Sequence, residues 1–265
     1  MLALSRQAIT SSSVACLCLF AVSLLQFSRM QQLLSDKQTN TVEALQREIS
    51  AEVVRLKFLK KIPTFGYDNL IANWIYLNFL QYFGDDEIRS KTGYGLSPQY
   101  FEVILKRDPR FVNAYLALST SGSMYAGMPE KSVEIMNQGL KSLNPRDPKN
   151  SYYESRYKAV DELLFLGDSQ AARESFTNAS QWASKHSDEE SKLVASISGQ
   201  TAEFLKTNRN SKYAQISAWG MVLSHGADEK TRERAISEIE ALGGKIISTP
   251  QGNQIRFPKP VSSEQ

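Results

Sequence analysis

Few residues of this 265-residue chain have the type and spacing that chemistry demands. His186 is followed four residues later by Glu190, one helical turn on, which is the step at which an imidazole and a carboxylate could share a metal ion. A single such pair in a polar run reads as the solvated start of a helix. Asp85, Asp86 and Glu87 together offer enough oxygen for a hard cation, yet three acids in a loop between helices are ordinarily solvated. His225 stands alone. Cys16 and Cys18 are the only thiols, and both lie in an apolar N-terminal stretch. The rest of the chain can therefore build neither a disulfide nor a thiolate metal site, and the redox state of its compartment stays open. No glycine-rich phosphate loop, nucleophile elbow or paired-histidine helix motif occurs. Asn178-Ala179-Ser180 fits a glycosylation sequon but falls in a helical pattern, so it reads as a chance match. The expectation is a protein without catalytic residues, metal or cofactor, and not an enzyme.

Charge adds to that reading. Lys and Arg total 31 against 28 Asp and Glu, a net charge of +3 with no long block of one sign. Nucleic acid is not a favoured partner. The length suits one domain with roughly thirty residues left for an appendage.

That appendage is legible. From Ala8 to Phe27 no charged residue appears, and Val14 to Leu25 is almost wholly apolar. About 20 residues make roughly 30 Å of helix, the thickness of a bilayer core. A cleaved secretory signal is disfavoured because Leu24 to Met30 lacks a small-x-small site. A lipoprotein acylated at Cys16 is disfavoured because Ser13 stands where leucine is usual and the apolar run continues past the cysteine. Residues 1–28 read as a signal anchor that meets the membrane through residues 8–27, in a single pass. Arg6 on one side and Arg29, Lys37 and Arg47 on the other leave the side of the main domain open.

Residues 29–62 read as a helical stalk. Asn40 and Glu43 resemble a capping pair. Val42, Leu45, Ile49, Val53, Leu56 and Leu59 then recur at steps of three and four. This seam would either pair two copies of the chain through residues 42–59 or pack one helix on its own domain, and fewer than four clean heptads favour the second. Pro63 and Gly66 end it. Asp68 to Gly84 forms a helix apolar on nearly every side, with Trp74, Tyr76, Phe79, Tyr82 and Phe83, and it is too short to span a bilayer. Core packing explains such aromatics best, with a membrane interface as the alternative. A polar loop, Asp85 to Gly95, precedes a helix opened by Ser97-Pro98 and closed near Asp108-Pro109.

Beyond it a repeat emerges. Tyr115 and Leu118 open a first helix, Ser132 and Gly139 supply small residues on a second with Met136 between them, and Pro145 closes the unit. Tyr157 opens another, followed by Ala172, Phe176 and Ala179 at four-residue and three-residue steps. Over roughly residues 98–185 the chain resembles the tetratricopeptide repeat (TPR) family, in which antiparallel helices approach closely where side chains are small. The step from Met136 to Phe176 exceeds the family's usual length of about 34 residues, and no proline follows Trp182. A third helical pair, Glu190 to Leu205 and Lys212 to Ser224, keeps the periodicity but hardly the motif. Asp228 to Leu242 reads as a closing helix ended by Gly243-Gly244. Residues 245–265 read as a small hairpin, Lys245–Thr249 with Gln254–Pro258, and a disordered tail.

The implied fold is all-α: a transmembrane helix, a stalk and a short TPR-like solenoid over residues 63–244, with the hairpin behind. The resemblance implies a groove that holds a peptide segment or partner subunit. Asn113, Tyr115, Tyr153 and Arg156, polar or aromatic residues on the first helix of a repeat, are its candidate lining. Function is expected to be that of a membrane-anchored protein–protein interaction scaffold, an assembly factor for a membrane complex. The competing expectation is a structural subunit whose helix 69–83 packs on lipid or on another membrane protein.

Overall fold

The described residues are mostly helical, and a two-stranded antiparallel hairpin is the one sheet among them. The structure is a computed structural model that describes residues 14–24, 26–27, 42–208, 210–225, 228–249 and 252–258. The chain divides into two units, Met1–Glu48 and Ile49–Gln265. In the first, residues 14–24 are helical. The rest of the expected span falls largely outside the described residues, as do the Asn40 cap and the tail from residue 259. Among the described residues no helix is long and apolar enough to cross a membrane.

Helix α1 is Val42–Leu59, and its residues from Ile49 on belong to the second unit. Its residues Leu56 and Leu59 are buried, with Ile49 and Val53 packed beside them, against Ala72, Ile75, Phe79 and Phe101. Most of the seam on residues 42–59 that would pair two copies is thus occupied by the chain's own domain, and residues 49–62 are part of that domain. Arg107 fastens this arrangement. Its guanidinium donates to the carbonyls of Leu59 (2.7 Å) and Ile62 (2.6 Å), which end α1, and to Asp68 Oδ1 (2.9 Å).

Helix α2, Asp68–Gly84, buries Ala72, Ile75 and Phe79. Phe79 meets Phe101 at a ring-centroid distance of 4.5 Å and Tyr100 at 5.8 Å, in edge-on contacts of the kind worth about 0.5–1.5 kcal/mol beyond the area buried. The expected loop at residues 85–95 contains a helix, α3, Asp86–Thr92. Asp85 caps it by accepting from Ile88 N at 3.2 Å, and Asp86 and Glu87 lie in its positive first turn. Buried Arg89 from α3 stacks over the Tyr82 ring at 4.0 Å. Helix α4, Ser97–Arg107, carries Pro98 in its first turn and buries seven residues, packing most extensively on α2.

Helix α5, Val112–Leu118, passes directly into a π-helical turn, Ser119–Tyr125, before α6, Pro129–Leu140. Next come α7, Tyr152–Leu164, α8, Ser169–Ala183, and α9, Glu189–Thr207. Helices α6 to α9 pack each on the next in chain order. Asp168 and Asp188 cap α8 and α9 through the backbone N–H groups of Ala171 and Ser191. The small position at Gly139 fits its role: a methyl there would lie 2.8 Å from two ring carbons of the buried Tyr115.

Helix α10, Lys212–His225, departs from a solenoid. It returns to the π-helical turn, α7 and α11, Glu229–Ala241, and pairs with these instead of with α9. Trp219 meets Phe165 edge-on at 5.8 Å, and Gly127 closes against Val222 and Thr231. Strands β1, Lys245–Thr249, and β2, Gly252–Arg256, form the hairpin, with Lys245 opposite Arg256. Ile246 and Ile255 dock it on Ile216 and Trp219.

Candidate protein-binding surface

Helix α7 is buried on two sides and open on a third, and its residues divide accordingly. Toward the π-helical turn it carries Asp161, fully buried, whose two carboxylate oxygens each accept a 2.6 Å hydrogen bond, one from Ser119 and one from Ser123. Burial pushes Asp161 up to about 7, with the two serine bonds acting against it. Glu154, on the same side, is 0% exposed. Burial pushes it up to about 9, partly opposed by the charge of Lys158 and the backbone N–H of Leu140, so it is neutral at pH 7.

Toward α8 the helix presents Lys158, Glu162 and Ser155. Lys158 Nζ lies 3.0 Å from Glu162 Oε1 and donates to Ser175 Oγ at 2.9 Å, while Ser175 donates to Glu162 Oε2 at 2.6 Å. Asn178, from the sequon, donates to Ser155 Oγ at 2.7 Å. Ser155, Lys158, Ser175 and Asn178 line a cleft of about 180 Å³ with Leu140, Ala171 and Glu174. The ion pair and its two hydrogen bonds to Ser175 tie α7 to α8.

The third side faces α9 and solvent. Tyr153 donates to Glu190 Oε1 at 2.7 Å and stacks on Tyr157 with ring centroids 5.6 Å apart. Arg156 donates to Ser198 Oγ at 3.3 Å. All three side chains are half-buried. Burial first, then the Glu190 carboxylate, raises Tyr153 above the ordinary phenol range. Helix α9 has two apolar stripes. Val194, Ala202 and Leu205 are buried with Ser198 between them. Leu193, Ile197 and Phe204 are exposed, Leu193 at 60% and Phe204 at 61%, and at steps of four and seven they share a face with Glu190. Asn113 and Leu116 on α5, which packs against α7, are also exposed.

Of the four candidate groove residues, Asn113, Tyr153 and Arg156 have surface open to a partner. Tyr115 does not: it is fully buried, donates to Pro109 O at 2.7 Å and fills the space left by Gly139. Leu193, Ile197 and Phe204 belong to the same surface and were not singled out from the sequence. Their signal was there, since α9 has more apolar residues than one buried face requires.

His186 and Glu190 do not meet. His186 Nε2 is 2.7 Å from Pro145 O, and Glu190 serves Tyr153. Among the described residues no group of three His, Cys, Asp or Glu is placed to hold a metal ion.

A second apolar surface lies on α1 and α2. Leu70, Trp74, Leu77 and Leu80 of α2 and Val54 and Phe58 of α1 are exposed. Arg55 lies 5.3 Å from the Trp74 ring centroid and bridges the two helices. The aromatic helix is therefore a core helix on one side only. No family model, no curated protein and no solved structure matches this chain.

Proposed function

We propose that this protein is a membrane-held, TPR-like helical scaffold that grips a segment of another protein on the face built by α5, α7 and α9, and that it serves as an assembly factor for a membrane complex. One observation carries the reading. The second apolar stripe of α9, Leu193, Ile197 and Phe204, is left uncovered beside the stacked Tyr153–Tyr157 pair and Arg156. Rigid aromatics and an arginine beside exposed aliphatic side chains are the composition of a protein-binding hot spot. The polar cluster behind α7 supports it by pinning that helix from two sides, so that the surface is organised before a partner arrives.

The uncharged stretch at residues 8–27 would supply the hold on the membrane. Protease protection on sealed vesicles, with an epitope after Gln265, reads which side carries the domain. The binding face is tested by affinity purification from native membranes, comparing the natural chain with a Tyr157→Ala, Leu193→Ser, Phe204→Ser variant. All three residues are partly or largely exposed, so the fold should survive, as circular dichroism would check. The variant should lose the co-purifying protein. Retention of the same partners at the same yield refutes the face as the binding site.

A second reading, a stoichiometric structural subunit of a membrane complex, draws on the exposed side of α2. It predicts equal-ratio recovery with the mature complex, whereas an assembly factor travels with immature forms only.

A further inference from the structure

The α1–α2 surface combines two features that rarely meet on a soluble face. The first is apolar. Leu70, Trp74 and Leu77 follow one another on one side of α2 at steps of four and three, Trp74 being 47% and Leu77 60% exposed. Phe58 lies one turn after Val54 on the outer side of α1, and the Arg55–Trp74 contact joins the two helices. In the connection between them Phe65 is 88% exposed and held at φ 50°, a left-handed conformation costly for a residue with a Cβ, and Tyr67 is 64% exposed. The fold thus spends strain to present an aromatic ring outward.

The second feature is charge. Residues 55–62 contain Arg55, Lys57, Lys60 and Lys61 and no acid. Lys57, Lys60, Lys61 and Lys106 line a groove of about 420 Å³ between α1 and α4, in which Glu102, paired with Lys60 at 2.6 Å, is the one acid. Lys57, Lys61 and Lys106 have no ion pair among the described residues.

We propose that this surface is a membrane-docking face. Phe58, Phe65, Trp74 and Leu77 enter the boundary between headgroups and acyl chains of an anionic bilayer, while Lys57, Lys61 and Lys106 meet the lipid phosphates. An acidic peptide would use the lysines but leave the aromatic stripe uncovered. A neutral protein partner would use the stripe but leave the lysines unpaired. An anionic lipid surface satisfies both, and tryptophan and tyrosine are the side chains that settle at its interface. The inference rests on the membrane-held reading above but uses a different face from the α5–α7–α9 surface.

Spin labels placed at Leu77→Cys and, separately, at Leu193→Cys in the full chain, with Cys16 and Cys18 replaced by serine, test it. The protein is reconstituted in vesicles of phosphatidylcholine with and without phosphatidylglycerol, and accessibility to oxygen and to a water-soluble nickel chelate is read. In anionic vesicles the Leu77 label should be open to oxygen and shielded from nickel, while the Leu193 label stays open to nickel. Lys57→Gln with Lys61→Gln should lower the ratio of docked to undocked label by about 25-fold, roughly fivefold for each lysine. A water-exposed Leu77 label in anionic vesicles, or equal shielding in neutral ones, overturns the proposal. So does shielding in lipid-free detergent that grows with protein concentration, which would assign the face to a second copy of the chain. Failure here leaves partner capture through Leu193 and Phe204 untouched, so the two readings fall separately.

Discussion

Replacing Glu154 by glutamine should flatten the dependence of stability on pH, because burial of the natural carboxyl outweighs the Lys158 charge and the Leu140 backbone N–H that oppose it. It is 0% exposed, and burial pushes its pKa from 4.5 to about 9. The sign follows from proton counting. Between those two values the unfolded chain has lost the proton that the folded chain keeps, so raising pH favours unfolding. The cost is about 1.4 kcal/mol per pH unit, or about 3 kcal/mol accumulated by pH 7. Asp161 acts in the same direction from 3.8 up to about 7 and fades over roughly the next pH unit, so most of the slope above pH 7 belongs to Glu154. Over the window from pH 7 to 8.5 the natural protein should lose about 2 kcal/mol. Glutamine removes most of that slope, although its buried amide carries its own unsatisfied hydrogen bonds at about 1–3 kcal/mol. The difference in slope is accordingly the clean quantity, not the absolute stability of the variant. Urea unfolding of the full chain in mild detergent, at half-unit steps of pH, measures it. If the natural chain holds constant stability from pH 7 to 8.5, or if the variant keeps the same slope, then Glu154 is solvated or paired and the reasoning about α7 is wrong.

Three further substitutions test the packing. Gly139→Ala gains about 1 kcal/mol in helix propensity, but its methyl meets the buried Tyr115 ring, and overpacking of about 1–3 kcal/mol should win, lowering the thermal midpoint by several degrees in a circular dichroism melt. A raised midpoint would mean that Tyr115 moves freely. Arg107→Lys cannot reach the Leu59 and Ile62 carbonyls and Asp68 together, so about 2 kcal/mol should go, with amide exchange accelerating first in residues 49–62. Uniform acceleration across the chain would deny Arg107 its role as the fastener of α1. Asp161→Ala leaves the Ser119 and Ser123 hydroxyls without an acceptor and should cost about 2–4 kcal/mol in urea unfolding, more than Ser123→Ala alone.

Much of this protein was legible in its residues. The apolar steps in α1, the proline in the first turn of α4, the closing helix from Asp228, and the turn between two β-branched runs near the C-terminus each act within a few residues, so local chemistry was enough to place those elements. The close approach at Gly139 was readable too, because a glycine flanked by large residues on a helix marks where another element comes near. What the residues could not decide was which of two apolar sides a helix would bury. Helix α2 is apolar all round, and only its packing on α4 separates Ala72, Ile75 and Phe79, which are covered, from Leu70, Trp74 and Leu77, which are not. Tyr115 and Tyr153 look alike in sequence, yet one is locked under Gly139 and the other stands at the surface beside Glu190. The π-helical turn was not legible locally, and two of its serines, Ser119 and Ser123, are held by Asp161 about forty residues on. Periodicity fixes the faces of a helix, whereas the long-range contacts that choose between those faces depend on the whole chain closing on itself. For that reason the sequence by itself made a mostly helical protein legible, and the tertiary structure alone decided which apolar sides of its helices stay exposed.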